Sequence, residues 1–173
     1  GQCRPGISAL LQIAGRRQKN IGASDLAFSV APRLNAAGRL TDMSLGVECL
    51  LADDAKSATG MATQLDRLNR ERRSIESDMH DQAVTALESV DLDDGEPLPV
   101  GLCLFDSSWH QGVVGIIASR LKARWHRPAI VFAPESQGMI KGSGRSVEGF
   151  HLRDALETIA LRYQGLLPRF GGH

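Results

Sequence analysis

The sequence predicts an α/β chain in three parts: a helical segment over residues 1–54, a long charged helix with an acidic linker over 55–97, and a small α/β domain over 98–173. Three observations carry this prediction. The first third holds short apolar runs at helical spacing and no alternating strand pattern. Between Ala55 and Val90 there is no proline and only one glycine, Gly60, while apolar residues recur at intervals of three and four. Beyond that, two short apolar runs flank a segment of helical spacing, the signature of a βαβ unit.

Each element follows from its residues. Pro5 suits a first helical turn, where its missing N–H costs nothing, and Ile7, Leu10, Leu11 and Ile13 give an apolar face that Gly15 ends. Ser24 and Asp25 are placed to cap a second short helix, which Pro32 is expected to break. Ser44 precedes a third, carrying Leu45, Val47, Leu50 and Leu51. The long helix sets Met61, Leu65, Leu68, Ile75, Met79, Ala83, Leu87 and Val90 on one stripe. Asp66 with Arg70, Arg67 with Glu71, and Arg72 with Glu76 are spaced as i,i+4 pairs, each adding a few tenths of a kcal/mol. At 1.5 Å per residue this helix extends roughly 50 Å. That suits a rod bridging two lobes. Coiled-coil pairing is the alternative, and the heptad is broken around Arg72.

Asp91-Leu92-Asp93-Asp94-Gly95-Glu96-Pro97 is a loop by composition and marks a domain boundary. Pro99 to Phe105 is of strand length, Gly112 to Leu121 is helical, and Pro128 to Ala133 is a second buried strand, joined by a crossover expected to be right-handed. Met139 to Ser146 is a third strand with a glycine turn, and His151 to Ala160 a last helix.

With 173 residues and 42% hydrophobic content the chain can bury an ordinary core. No apolar run nears the roughly 20 residues that span a bilayer, and GQCRPGIS lacks a signal peptide's apolar stretch, so a soluble, cytoplasmic protein is expected. Cys3, Cys49 and Cys103 have no CxxC pairing, which argues against a disulfide framework or zinc knuckle; Cys49 and Cys103 are expected to be buried. The formal net charge is zero. Lys and Arg nevertheless outnumber Asp and Glu before Asp53 and after Pro99, with the reverse between, so a polyanion would be drawn to the ends of the chain.

Two segments dense in arginine and glycine flank the long helix: APRLNAAGRL at 31–40 and GSGRS at 142–146. Fixed cations beside closely approachable backbone N–H groups hold phosphate without a metal. Arg33, Asn35 and Arg39 either contact phosphate or a base edge, or cap helices and tie loops. Trp109-His110-Gln111-Gly112 falls where the first strand of the βαβ unit turns into its helix, at the carboxyl end of the sheet, and His110 there either faces a phosphate or caps the helix. In GSGRS, Gly142 and Gly144 permit unusual backbone angles, while Ser143 and Arg145 supply a hydroxyl and a bidentate fork. Residues 170–173, FGGH, add a second glycine-histidine cluster. Catalytic metal ligands are not evident. Asp91-Leu92-Asp93 lies in the linker, Asp78, His80 and Asp81 lie on the exposed part of the long helix, and Asp53-Asp54 is expected to charge and cap that helix's start.

Taken in order, APRLNAAGRL, SLGVECLLADD, the charged helix, SSWHQGVVGIIASRL, RPAIVFA, GSGRS, EGFHLRDAL and RFGGH resemble the DHH phosphoesterases, and within them the RecJ family of bacterial exonucleases specific for single-stranded DNA. The resemblance covers nearly the whole chain. It implies a first lobe whose aspartates and histidines bind two Mn²⁺ or Mg²⁺ ions and a DHH-associated lobe that holds the nucleic-acid backbone. This chain departs from that pattern in having no DHH triplet and no strand-borne D-x-D. The match is to the end of the catalytic lobe, the connecting helix and most of the associated domain, stopping at His173.

By resemblance, Ser143 and Arg145, with Gly144, Ser146, Gly171 and Gly172, would bind DNA phosphate; His110 and His173 would border the active cleft as catalytic residues; Arg33, Asn35 and Arg39 would contact the strand; and Lys122 or Arg124 would add backbone contacts. The intact protein is then expected to remove nucleotides from a 5′ end in DNA repair and recombination, beside a helicase or single-strand-binding protein. The piece alone is expected to bind no metal and to be inactive. Two alternatives stay open: a DHH hydrolase of short oligonucleotides or nucleotides, and a non-catalytic scaffold on the same fold.

Overall fold

The computed structural model describes residues 3–17, 21–93 and 99–172, with the side chains of 89–93 left aside. The elements are α1 (Pro5–Ile13), α2 (Ala23–Asp25), a π-helical turn (Leu26–Val30), α3 (Ala31–Leu40), α4 (Ser44–Leu51), α5 (Ala55–Asp93), β1 (Leu102–Phe105), α6 (Val114–Trp125), β2 (Ala129–Pro134), β3 (Ile140–Arg145) and α7 (Leu152–Arg162). They fall into two compact units, Gly1–Ile75 and Glu76–His173, with the division inside α5.

The first unit is a helical cluster around Leu10, Leu11, Val30, Ala36, Ala37, Cys49, Ala58, Ala62, Leu65 and Leu68. Leu10, Leu11 and Leu65 are fully buried, and truncating such a leucine costs about 2–5 kcal/mol through lost transfer energy and the cavity left behind. Where α1 crosses α4, a Cβ on Gly6 would stand 1.8 Å from the Cys49 carbonyl oxygen. Only glycine allows that approach.

Pro32 does not break its helix. The chain stays helical from Ala23 to Leu40, and Pro32 occupies the first turn of α3 directly after the π turn. The Ala31 amide reaches back five residues to the Leu26 carbonyl. This wider turn makes room for a ring that would otherwise strike the carbonyl four residues earlier.

α5 is a single helix of 39 residues. Asp54 caps it, its Oδ1 accepting from the Ser57 amide at 2.9 Å, and the Ser57 side chain first, then its amide, hold the Asp54 carboxyl below its ordinary range. Within the first unit its buried stripe includes two polar residues, Asp66 and Asn69. Asp66 Oδ1 accepts from Arg33 Nε at 2.9 Å and Oδ2 from Arg70 Nε at 2.9 Å. The expected Asp66–Arg70 pair therefore forms, whereas Arg67 and Glu71 make no ion pair among the described residues. Asp91 to Asp93, expected as loop, continue the helix; Asp94, Gly95, Glu96 and Pro97 lie outside the described residues.

In the second unit β1 and β2 are parallel, with Leu102 opposite Ala129 and Phe105 opposite Phe132, and β3 runs antiparallel to β2, with Ala129 opposite Arg145 and Val131 opposite Ser143. Strand side chains alternate between faces. Leu102, Ala129, Val131 and Ala133 are buried, as are Val113, Ile117, Ala118 and Leu121 of α6 and its approach. Met79, Ala83 and Leu87 of α5 are buried here too. Polar ties anchor this stretch of α5: Trp109 Nε1 donates to Gln82 Oε1 at 2.7 Å, and Arg120 and Arg124 of α6 pair with Glu76 and Glu88.

The opposite face is more open. Cys103, expected to be buried, is exposed, as is Phe105, because α6 covers the other side of the sheet. Gly142 and Gly144 belong to regular strand and have no positive φ. Added Cβ atoms would lie 2.4 Å from the Phe132 ring and 2.4 Å from Leu152. These two glycines exist to admit neighbouring side chains, a correction to the reading of unusual backbone angles.

Candidate phosphate-binding site at the start of α6

Alternation along β3 sends Ser143 and Arg145 toward α6, on the face opposite Gly142 and Gly144. There they meet Gly115, the second residue of α6: a Cβ at that position would be 3.0 Å from Ser143 Oγ and 3.3 Å from Arg145 Nη2. Arg145 Nε donates to Ser119 Oγ at 2.9 Å, and Nη1 donates to Ser143 Oγ at 3.3 Å and to the Gly144 carbonyl at 2.7 Å. Ser119 in turn donates to the Gly115 carbonyl at 3.0 Å. Three neutral acceptors thus fix the guanidinium while Nη2 faces the helix start.

The electrostatics of this point are one-sided. The first turn of α6 contains no acidic residue and no side-chain cap, and among the described residues Arg145 has no carboxylate partner. The opening N–H groups of a helix lack intrahelical acceptors and carry the positive end of its dipole. A cation held there adds to that potential. Arg145 remains exposed, so the site can take an anion from solvent.

The approach to α6 is equally ordered. Asp106 Oδ1 accepts from the amide and hydroxyl of Ser108 at 2.8 and 2.7 Å, which holds its carboxyl below the ordinary range. Trp109 is buried, and the next residue, His110, is half-buried with Nδ1 accepting from the Gly112 amide at 3.0 Å. That bond places the neutral ring's proton on Nε2, which is then a donor. His110 shapes the turn that opens α6.

The other sequence-predicted residues are dispersed. Arg33 is a structural tie: its side chain is only 14% exposed, paired with Asp66, and donates to the Ser29 carbonyl. This corrects its reading as a strand contact, since a guanidinium committed to a buried carboxylate has no fork left for a ligand. Asn35 and Arg39 are exposed one turn apart on α3, Arg39 in its last turn. Lys122 lies in the last turn of α6 with Arg124, about 10 Å along the axis from Gly115 at 1.5 Å per residue. Arg124 pairs with Glu88 and its guanidinium carbon stands 4.6 Å over the Trp125 ring. Ser146 donates to the Phe150 carbonyl and closes a turn. Gly144 packs on Leu152, and Gly172 passes Arg153 of α7 while Gly171 is exposed. His173 lies outside the described residues.

Gly115 and Ser119 were missed by sequence reasoning. Their signal is a four-residue spacing of small residues on one face of α6, which reads equally well as close packing. Among the described residues no group of three or more His, Cys, Asp or Glu is placed to hold a metal ion, and no helix is long and apolar enough to cross a membrane.

Comparison with known proteins bears on these features. Residues 99–173 match the DHHA1 domain. The whole chain is 52% identical to the single-stranded-DNA-specific exonuclease RecJ of Escherichia coli, over 30% of that protein's length. It is 36% identical over 171 residues to RecJ of Bacillus subtilis, covering 98% of this chain and 21% of that protein. A crystal structure of RecJ from Thermus thermophilus with Mg²⁺ superposes with a TM-score of 0.78 at 32% identity, covering 98% of this chain and 24% of that one. A structure of exonuclease RecJ bound to manganese gives 0.80 at 32% identity, covering 98% and 39%. The chain spans less than a third of the length of the curated relatives it matches.

Proposed function

Since this chain is homologous over its whole length to one stretch of the RecJ exonucleases and carries a DHHA1 domain, we propose that it serves within an exonuclease acting 5′ to 3′ on single-stranded DNA. Its part is to hold the DNA phosphate backbone. The observation that carries this is Arg145: a guanidinium fixed by Ser119, Ser143 and the Gly144 carbonyl, aimed at a helix start with no acid nearby. A phosphate oxygen there accepts from Nη2 and from the first amides of α6, and Ser143 adds a hydroxyl. Because the fork is already oriented, little freedom is lost on binding, and the same contacts offset negative charge that builds at a phosphodiester under attack.

The divalent ion that RecJ structures contain does not fit the described residues, which offer no ligand cluster. In this reading Mn²⁺ or Mg²⁺ is held by other parts of the intact enzyme, and the chain alone does not hydrolyse DNA. A cytoplasmic role in DNA repair and recombination, beside a helicase or single-strand-binding protein, completes the proposal.

The test is fluorescence anisotropy with a labelled single-stranded oligonucleotide across salt concentrations, followed by incubation with Mn²⁺. Each phosphate contact to a single strand contributes about 0.7 to the slope of log affinity against log salt. Arg145→Ala is expected to weaken binding and to lower the slope by about that amount, with the oligonucleotide left intact by the wild-type chain. Unchanged affinity and slope in Arg145→Ala would refute the clamp, and metal-dependent digestion at enzyme-like rates would refute the division of labour.

A further inference from the structure

The acidic average of the middle segment conceals a local excess of positive charge on α5. Arg67, Arg70 and Arg73 recur every three residues and are all exposed, so they lie along one side of the helix at about 4.5 Å steps. Thr63, Gln64 and Ser74, also exposed, share that side. Arg67 and Arg73 have no hydrogen-bond or ion-pair partner among the described residues. Arg70 does pair with Asp66, but the same carboxylate is also held by the half-buried Arg33. Two guanidinium groups share one carboxylate, so that triad keeps a net positive charge, and its exposed member is Arg70, with a side chain 75% accessible. Within residues 63–74 one carboxylate, Glu71, shares the exposed side and pairs with no residue, and Asp78 and Asp81, also exposed, follow on that side one and two turns further along. Arg67 and Arg73 are thus exposed guanidinium groups available for a ligand.

We propose that this face of α5 is a second contact surface for the phosphate backbone of single-stranded DNA. The inference rests on the preceding section for the identity of the ligand, and on separate residues for its geometry. Three guanidinium groups in a row favour an extended polyanion over a single phosphate. Thr63, Gln64 and Ser74 add neutral hydrogen-bonding groups, and the described face offers no apolar or aromatic side chain for a base. The contact is therefore to the backbone, indifferent to sequence.

The experiment compares the full chain, Arg67→Gln/Arg73→Gln and Arg145→Ala in salt titrations with single-stranded oligonucleotides of differing sequence. Among the described residues neither Arg67 nor Arg73 makes a hydrogen bond or ion pair that supports the fold, so thermal melting should be unchanged. The expected result is an affinity about tenfold lower at low salt and a slope reduced by about 1.4, two contacts at about 0.7 each, equally for every sequence. If the double variant binds like wild type while Arg145→Ala is weakened, the α5 surface is wrong and the clamp stands. If only the double variant is weakened, the clamp fails and the α5 surface stands. A chain that binds no single strand overturns both.

Discussion

Arg33 and Arg145 are the same residue type in similarly glycine- and alanine-rich segments, yet one is spent inside the fold and the other is offered to solvent. The difference is where the nearest carboxylate lies: Asp66 is 33 positions along the chain from Arg33, a distance that sequence spacing does not disclose. Nothing comparable reaches Arg145, whose partners are hydroxyls and a carbonyl. Cys103 shows the same lesson for burial. Its run is apolar throughout, which suggests a strand closely covered on both faces, but α6 closely covers one face while the other, where Cys103 lies, is more open. Burial pushes the thiols of Cys49 and Cys103 up alike, so what separates them is access: Cys49 is buried and Cys103 exposed. Thiolate is the reactive form. A thiol-reactive chromophore under native conditions is therefore expected to label Cys3 fastest, Cys103 more slowly, and Cys49 only on unfolding. Rapid labelling of all three would contradict the packing of α1 on α4.

At the scale of elements, periodicity made the long helix, the strand-helix-strand order and the last helix legible, because those signals are local and need no partner. Pro32 was misjudged because its tolerance depends on the π turn before it, and Gly142 and Gly144 because their reason is a ring and a leucine across the strand. The cap of α5 was legible as Asp53-Asp54, and Asp54 is the residue that bonds Ser57. Its carboxyl is depressed chiefly by the Ser57 side chain and then by the Ser57 amide. A depressed folded value means the stabilisation is present above the unfolded value of about 3.8 and is lost as pH falls through the lower folded one. Asp54→Ala should therefore melt below wild type near neutral pH, and the gap should narrow as pH falls through the lowered folded value and the wild-type carboxylate takes up its proton. A gap that stays constant from neutral pH into strong acid would mean the carboxylate is not the cap.

For the molecule as a whole, the two units carry different kinds of charge. The helical unit ties Arg33 to a buried carboxylate and leaves arginines on the exposed side of α5, while the α/β unit holds one oriented guanidinium at the start of α6. A zero formal net charge describes neither. The basic ends and acidic middle seen in the sequence were a fair guide to the α/β unit and a poor one to α5, whose acids lie mostly beyond Ile75. What could not be read was which cations are already neutralised, since that is settled by contacts between distant residues.

The most direct test of the phosphate clamp is a ¹⁵N NMR titration of the chain with a single-stranded oligonucleotide. The account predicts that the Gly115 amide and the Arg145 Nε resonance shift together with a common saturation point, and that the Gly115 shift is lost in Arg145→Ala. Saturable binding that leaves Gly115 and Arg145 unmoved would contradict it.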